Sequence, residues 1–293
     1  MAWTEKDIPA LDGKTAVITG SNSGLGLAAA TVMAKHGARV IMACRNAAKA
    51  EAAAEKVRAT STGPVELISL DLGSLASVDA CAAALLREEQ SLDYLLNNAG
   101  LMAIDEARTE DGFEMQFGVN HLGHFALTAK LWPLLSSTPG ARVVNHSSFG
   151  HRPGRLRLDD LMFERRRYSR WPAYFQSKLA NLLFTLELQR RGVTALTAHP
   201  GATRTDLGHE GSGITNYVMQ PFQLLQMAPS LGCLPIVRCA VDANAKSGEF
   251  YGPSFMFAGH PRLEKPSKRG RNVADARALW EKSEELTGVS FAV

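Results

Sequence analysis

Cysteine is scarce in this chain: four residues, Cys44, Cys81, Cys233 and Cys239, among 293. None forms a C-x-x-C pair, and the four read as reduced thiols of a cytoplasmic protein. Metal-ligand spacing is missing too. His121 and His124 lie three apart, but no matching Cys, His or carboxylate cluster marks a metal site, so no metal is expected. No apolar run reaches the ~18 residues of a membrane span. The polar start Met1-Ala2-Trp3-Thr4-Glu5-Lys6-Asp7 lacks the apolar stretch of a secretion signal. Nor is there a surplus of one charge: 32 Lys and Arg against 29 Asp and Glu leave +3, with no reason to expect a nucleic-acid partner. The densest basic patch, Arg165-Arg166-Arg167, reads as a solvated loop. Internal repeats, low-complexity tracts and a second-domain boundary are absent as well.

What is present is a hydrophobic content of 45%, enough for one large α/β domain over residues 1–293. It is organised around Thr15-Ala16-Val17-Ile18-Thr19-Gly20-Ser21-Asn22-Ser23-Gly24-Leu25-Gly26. A β-branched run stops, three glycines follow, and an Ala-rich helical pattern begins at Leu25. A strand, tight turn and helix start leave unpaired backbone N–H groups where a phosphate can sit. Gly20 supplies a positive φ, Gly24 lets the backbone approach a pyrophosphate, and Gly26 lets the helix pack close to the strand. A purely structural turn would carry the same glycines.

Leu27–His36 is a helix with Gly37 at its C′ position, and Arg39–Ala43 a second strand. Further strands are expected at Val65–Leu70, Leu92–Leu96, Ala141–His146, Val193–Ala198 and around Phe250, about seven in all. Helices are expected at Ala47–Ala59, Leu75–Glu89, a long one within Thr109–Ser137, Leu234–Asn244 and Ala274–Leu286. The first two strands are mostly apolar rather than alternating, as in a parallel sheet covered on both faces. His151–Trp171, rich in Arg, Pro and Gly, suits an exposed loop near a substrate entrance, and Pro261–Arg271 reads as a basic loop. Residues 206–232, with Tyr217, Met219, Phe222 and Met227, fit either core packing or an apolar substrate lid.

Tyr174 and Lys178 stand four apart on a predicted helix and so share a face. Lowering a tyrosine from about 10 to about 7 takes about 4 kcal/mol. A nearby ammonium supplies about one to three units of that, and a second positive charge close by can add to it. At the fifth strand, alternation puts Ser147 on one face and Ser148 on the other, leaving open which serine acts.

The T-G-x-x-x-G-x-G spacing, Asn97-Asn98-Ala99-Gly100 and Tyr174-Phe175-Gln176-Ser177-Lys178 together resemble the short-chain dehydrogenase/reductase superfamily, over residues 13 to about 255. Ala43-Cys44-Arg45-Asn46, Asn120-His121-Leu122-Gly123-His124-Phe125 and Tyr174–Asn181 are similar to its retinol dehydrogenase-like branch, shared with protochlorophyllide reductases. The resemblance implies a Rossmann-type doubly wound sheet with helices on both faces. It implies Ser148 as the serine that hydrogen-bonds the substrate oxygen, Tyr174 as the acid–base and Lys178 as the group that lowers its pKa and binds the nicotinamide ribose. Asn120 is implied to hold a relay water by its backbone carbonyl. Gly20 to Gly26 would hold the pyrophosphate, and Asp71 and Leu72 the adenine, although Asp71 could equally cap the next helix. The asparagines would tie the central strands together, with Asn98, Ala99 and Gly100 against the cofactor. Pro200, Gly201, Ala202, Thr203 and Thr205 would meet the nicotinamide end. His146 stands where an aliphatic residue is more usual.

A carboxylate at the end of the second strand would accept from the ribose hydroxyls of NAD. Here Cys44 takes that place and Arg45, beside it, can bind a phosphate bidentately. NADP(H) is therefore expected over NAD(H), with a small, lipophilic carbonyl or alcohol as substrate. Two alternatives share these motifs: a C=C reductase of the protochlorophyllide type, and a cofactor-binding sensor without chemistry. A homodimer or homotetramer is usual in the superfamily.

Overall fold

The computed structural model describes residues 2–203, 227–255 and 257–293. Its centre is one eight-stranded sheet: β1 (Thr15–Thr19), β2 (Arg39–Cys44), β3 (Val65–Ser69), β4 (Tyr94–Asn97), β5 (Arg142–His146), β6 (Ala195–Ala198), β7 (Phe250–Pro253) and β8 (Pro261–Glu264). The order is β3-β2-β1-β4-β5-β6-β7-β8. Every pairing among the first seven is parallel, and β8 pairs antiparallel to β7. Chain direction across the sheet reverses at β1, between β2 and β4, and a crevice opens there at the carboxyl ends of the strands.

Helices cover both faces. On one side lie α1 (Gly24–Lys35) and α2 (Ala47–Arg58), both rich in alanine, the best helix former. Asn46 caps α2 by accepting from the Lys49 N–H at 2.9 Å. On the other side lie α3 (Leu75–Glu88), α4 (Gly123–Lys130), α5 (Trp132–Ser137) and α6 (Arg170–Arg190). The chain closes with α7 (Leu234–Val241) and α8 (Val273–Thr287). Gly288, at φ +65°, ends α8 in the left-handed conformation usual there. Two buried layers result. Ala29, Met33, Met42 and Ile236 lie in the layer beneath α1 and α7. Leu85, Phe125, Phe184 and Trp280 lie in the layer with α3, α4, α6 and α8.

Four expectations need correction. The sheet has an eighth strand, because Pro261–Glu264 is paired β-structure and not loop. Its exposed Arg262 gives an edge strand the polar surface that edges need, and that polarity hid it in the sequence. The long helix is broken. A short turn, Met115–Phe117, passes into a π-helical stretch, Gly118–Leu122, before α4, and α5 follows separately. The stretch 151–171 is not simply exposed. Leu161 and Phe163 are buried, and Leu161 packs with Leu179 and Leu183 of α6. Finally, Ser74 caps α3, while Asp71 Oδ1 accepts from the Gly73 N–H and closes the preceding turn.

Candidate active site

The turn after β1 is tight because two glycines let it be. Gly20 has φ +65°, and a Cβ on Gly26 would strike the Gly20 carbonyl and lie 2.6 Å from Asn98 Nδ2. The start of α1 therefore sits directly on the end of β1. Ser23 precedes α1 without a side-chain capping bond, so the first N–H groups of α1 have no acceptor from that residue. They face a cavity of about 550 Å³ whose wall includes Gly20, Asn22, Ser23, Gly24, Leu25 and Gly26. Ser21 faces inward instead. Its hydroxyl donates to the Ile18 carbonyl at 3.0 Å and lies 3.5 Å from Cys44 Sγ.

One end of the cavity is cationic. Arg45 and Lys49 line it, with Lys56 further along α2 and Asp71 and Leu72 opposite. The Arg45 guanidinium stands 4.0 Å from Asp71 Oδ2. Lys49 and Lys56 were missed in the sequence; the α2 pattern shows only alanines spaced among charges, and no local signal tells which charges face a cavity.

The middle is built by asparagines. Asn97 Nδ2 donates to Asn145 Oδ1 at 2.9 Å and so joins β4 to β5; Asn98 Nδ2 donates to the Thr19 carbonyl at 2.9 Å and joins β4 to β1. Asn98 Oδ1 accepts from His146 Nδ1 at 3.0 Å, so the histidine that departs from the aliphatic pattern locks Asn98 in place. Burial, then the charge of Lys178, hold the His146 pKa well below its ordinary value. Asn98, Ala99 and Gly100 line the cavity.

Tyr174 and Lys178 meet the cavity wall from α6. Both are almost fully buried, and the ammonium lies 5.8 Å from the phenol ring centroid. Burial pushes the Tyr174 phenol up to about 12, while a hydrogen bond from Ser148 pulls it back. Burial pushes the Lys178 ammonium down to about 8. Lys178 Nζ donates to the His146 carbonyl at 3.2 Å. In the protein itself the phenol is thus held protonated, the reverse of the shift expected from the lysine alone. Ser147 is committed elsewhere: its hydroxyl donates to the Lys178 carbonyl at 2.7 Å. Ser147 lines the cavity wall, while Ser148 is the serine whose hydroxyl acts on the Tyr174 phenol.

Asn120 sits in the π-helical stretch, with its side chain on Leu101 and Ser177 and its carbonyl accepting from His124 Nδ1 at 3.1 Å. Pro200 lines the cavity. Gly201 has φ +69°. The Ala202 N–H donates to the Phe257 carbonyl at 2.8 Å, and the Thr203 hydroxyl to the Pro200 carbonyl at 2.9 Å. Thr205 and residues 206–226 of the expected lid lie outside the described residues. A further contact was not foreseen. Glu264 of β8 accepts from His199 Nε2 at 3.2 Å and pairs with Arg152 at 3.5 Å, bracing the loop after Ser148 against the loop before Pro200.

The short chain dehydrogenase family profile matches residues 14–212. The chain belongs to the short-chain dehydrogenase family. Within that family it is retinol dehydrogenase-like: it is 40% identical to human retinol dehydrogenase 13 over 289 residues, covering 95% of this chain and 86% of the relative. A crystal structure of an uncharacterized protein from Mycobacterium paratuberculosis shares 42% identity and a TM-score of 0.83, with complete coverage of both chains. A short chain dehydrogenase of Shigella flexneri, solved with NADP, shares the fold at a TM-score of 0.66 and 24% identity, over 84% of this chain and 99% of that one. This family member is therefore an oxidoreductase by descent. Its β7, β8 and α8, and with them Glu264, lie beyond the residues matched by the family profile. Among the described residues no helix is long and apolar enough to cross a membrane, and no group of three or more His, Cys, Asp or Glu could hold a metal ion.

Proposed function

We propose that this dehydrogenase uses NADP(H) to interconvert a lipophilic carbonyl compound and its alcohol. The reading rests on one juxtaposition: a single cavity has Tyr174 and Lys178 at one end and Arg45 with Lys49 at the other. The residues fit a dinucleotide. Gly26 lets the start of α1 pack against Gly20 and Asn98, and the α1 amides supply anion donors. Two cations without a carboxylate in the Cys44 position suit a 2′-phosphate. The bound nicotinamide supplies or accepts the hydride.

The chain's own residues handle the oxygen. Tyr174 holds a proton at its phenol oxygen and passes it to the substrate oxygen in reduction. Ser148 donates a hydrogen bond as charge develops on that oxygen. Lys178 presents a positive charge beside both. Trp171, whose ring centroid lies 6.1 Å from that of Tyr174, and Phe149, next to Ser148 and 5.2 Å from Phe257, are aromatic neighbours of the two residues, which supports an apolar substrate. Human retinol dehydrogenase 13, by its name, acts on retinol; a retinoid or another lipophilic aldehyde is the class to test. We place the protein in the cytoplasm, which cell fractionation tests. The deciding experiment follows NADPH oxidation by the purified protein across aliphatic, aromatic, retinoid and steroid-like carbonyls, beside the same panel with NADH. Turnover of none of them, or a higher kcat/KM with NADH, overturns the proposal.

A further inference from the structure

The hydroxyl of Thr19, the last residue of β1, is a junction. Oγ1 accepts from the backbone N–H groups of Asn98 and Ala99, each at 3.0 Å. A hydroxyl has two acceptor sites and one proton, so the proton alone remains to be placed. It faces the Leu96 carbonyl at 3.4 Å and His124 Nε2 at 2.9 Å. On its other side His124 Nδ1 lies 3.1 Å from the Asn120 carbonyl, which can only accept. A neutral imidazole satisfies both contacts in one tautomer: Nδ1–H donates to Asn120, and bare Nε2 accepts from Thr19. Burial favours the neutral ring, lowering its pKa to about 4.

The chain of bonds continues past Asn120. Its Oδ1 accepts from the Leu101 N–H at 2.7 Å, and its Nδ2 donates to Ser177 Oγ at 2.9 Å. Ser177 Oγ in turn donates to the Tyr174 carbonyl at 2.8 Å. A continuous buried path therefore runs from the turn after β1 to the backbone of α6.

We propose that His124 is a positioning residue that couples the dinucleotide-binding turn to the helix carrying Tyr174. Its Nε2 orients Thr19 and with it the Asn98–Ala99 backbone on the cavity wall. Its Nδ1–H holds the Asn120 carbonyl in the π-helical stretch, and so the Asn120 side chain on Ser177. This rests on the reading of Tyr174 as the proton donor.

Two replacements separate the two bonds. Asn offers an amide near the Nδ1 position and cannot reach Thr19, whereas Gln reaches toward the Nε2 position. H124N is expected to raise the Kd and KM for NADPH about tenfold with kcat within about threefold, the cost of one disrupted buried hydrogen bond. H124Q is expected to lower kcat about tenfold with KM nearly unchanged. H124L should show both losses. A long-range proton–nitrogen spectrum of the 15N-labelled wild-type imidazoles, recorded from pH 5 to 9, should show His124 as a non-titrating Nδ1–H tautomer. An Nε2–H tautomer, titration within that range, loss of the same parameter in both variants, or an H124L protein with unchanged parameters would overturn the proposal. The spectrum needs neither substrate nor variant. It decides the point even if the variants fail to fold, and a wild-type protein without turnover would count against the oxidoreductase reading instead.

Discussion

Ser148, at the end of β5, stands close enough to Tyr174 on α6 for its hydroxyl to pull the phenol pKa down against the effect of burial. Ser148 Oγ also accepts from the Gly150 N–H at 3.1 Å, which aims the hydroxyl proton away from that amide. In the proposed function the two side chains act together. A substrate oxygen that enters between them takes the Ser148 hydrogen bond in place of the phenol and the proton from Tyr174.

Tyr174→Phe keeps the ring in its slot and removes the phenolic proton. NADPH affinity should stay within about threefold of wild type, since the cavity wall is unchanged, while kcat falls by about 10²–10⁴, the usual worth of a positioned acid. Ser148→Ala should cost about 10²–10³ in kcat by removing a donor to the developing charge. Stopped-flow turnover with fluorescence titration of NADPH measures both. Retained turnover in Tyr174→Phe would end the role assigned to it.

Cofactor choice is expected to reside in Arg45 and Lys49. Replacing either by Ala removes a charge-assisted bond to a 2′-phosphate, a loss of about 1.5–3 kcal/mol, so kcat/KM for NADPH should fall by about ten- to a hundredfold. The value for NADH should hold or rise, because no 2′-phosphate is involved. A parallel fall for both cofactors would place these residues outside recognition of that group.

Much of this site was legible in the sequence because its demands are local. Gly20 and Gly26 are required by one turn, and Tyr174 and Lys178 by one helical repeat. What escaped notice depends on tertiary placement. Lys49 and Lys56 lie on the cavity side of α2 only because of how α2 packs over β2 and β3. The π-helical stretch and the start of α4 carry Val119, Leu122 and Phe125 at spacings that an ordinary helix would show equally well. β8 is four residues long with two exposed charges or apolar groups, Arg262 and Leu263, and its strand character comes from pairing with β7. Composition misled for 151–171: arginines dominate the count, but the Arg166 guanidinium lies 3.8 Å over the Phe163 ring, covering an apolar side chain instead of extending into solvent.

Reduction should lose rate on the alkaline side. The Lys178 ammonium, lowered by burial to about 8, is charged below that pH and neutral above it. The Tyr174 phenol, raised to about 12, stays protonated across the same range and contributes no acid limb near neutrality. kcat/KM for carbonyl reduction is therefore expected to be level from pH 6 to 7 and to decline through about pH 8. Lys178→Arg, whose guanidinium remains charged, should erase that limb even where its absolute rate is low. A limb that persists unchanged in Lys178→Arg would assign it to another group.

The same burial predicts a cost in stability. Lys178 is 5% exposed, and its pKa falls from 10.5 in the open chain to about 8 in the folded protein. Below pH 8 the folded state carries a desolvated ammonium, a penalty of about 3 kcal/mol from the size of that shift. Between 8 and 10.5 the unfolded chain binds the extra proton, so stability gained from this group rises with pH across that window. Lys178→Met removes the charge and keeps the length. The His146 carbonyl is not orphaned, because Asn181 Nδ2 still donates to it at 2.9 Å. The variant should be inactive yet more stable at pH 7, by about 2 kcal/mol once one lost hydrogen bond of about 1 kcal/mol is set against the relief. That corresponds to a Tm about 3–6 °C higher. The difference between the two proteins should shrink steadily as the pH rises from 8 toward 10, where the wild-type lysine also becomes neutral in the fold. Thermal denaturation of both across that series checks it, and a wild type more stable than Lys178→Met at pH 7 would show that the ammonium's contacts outweigh its desolvation.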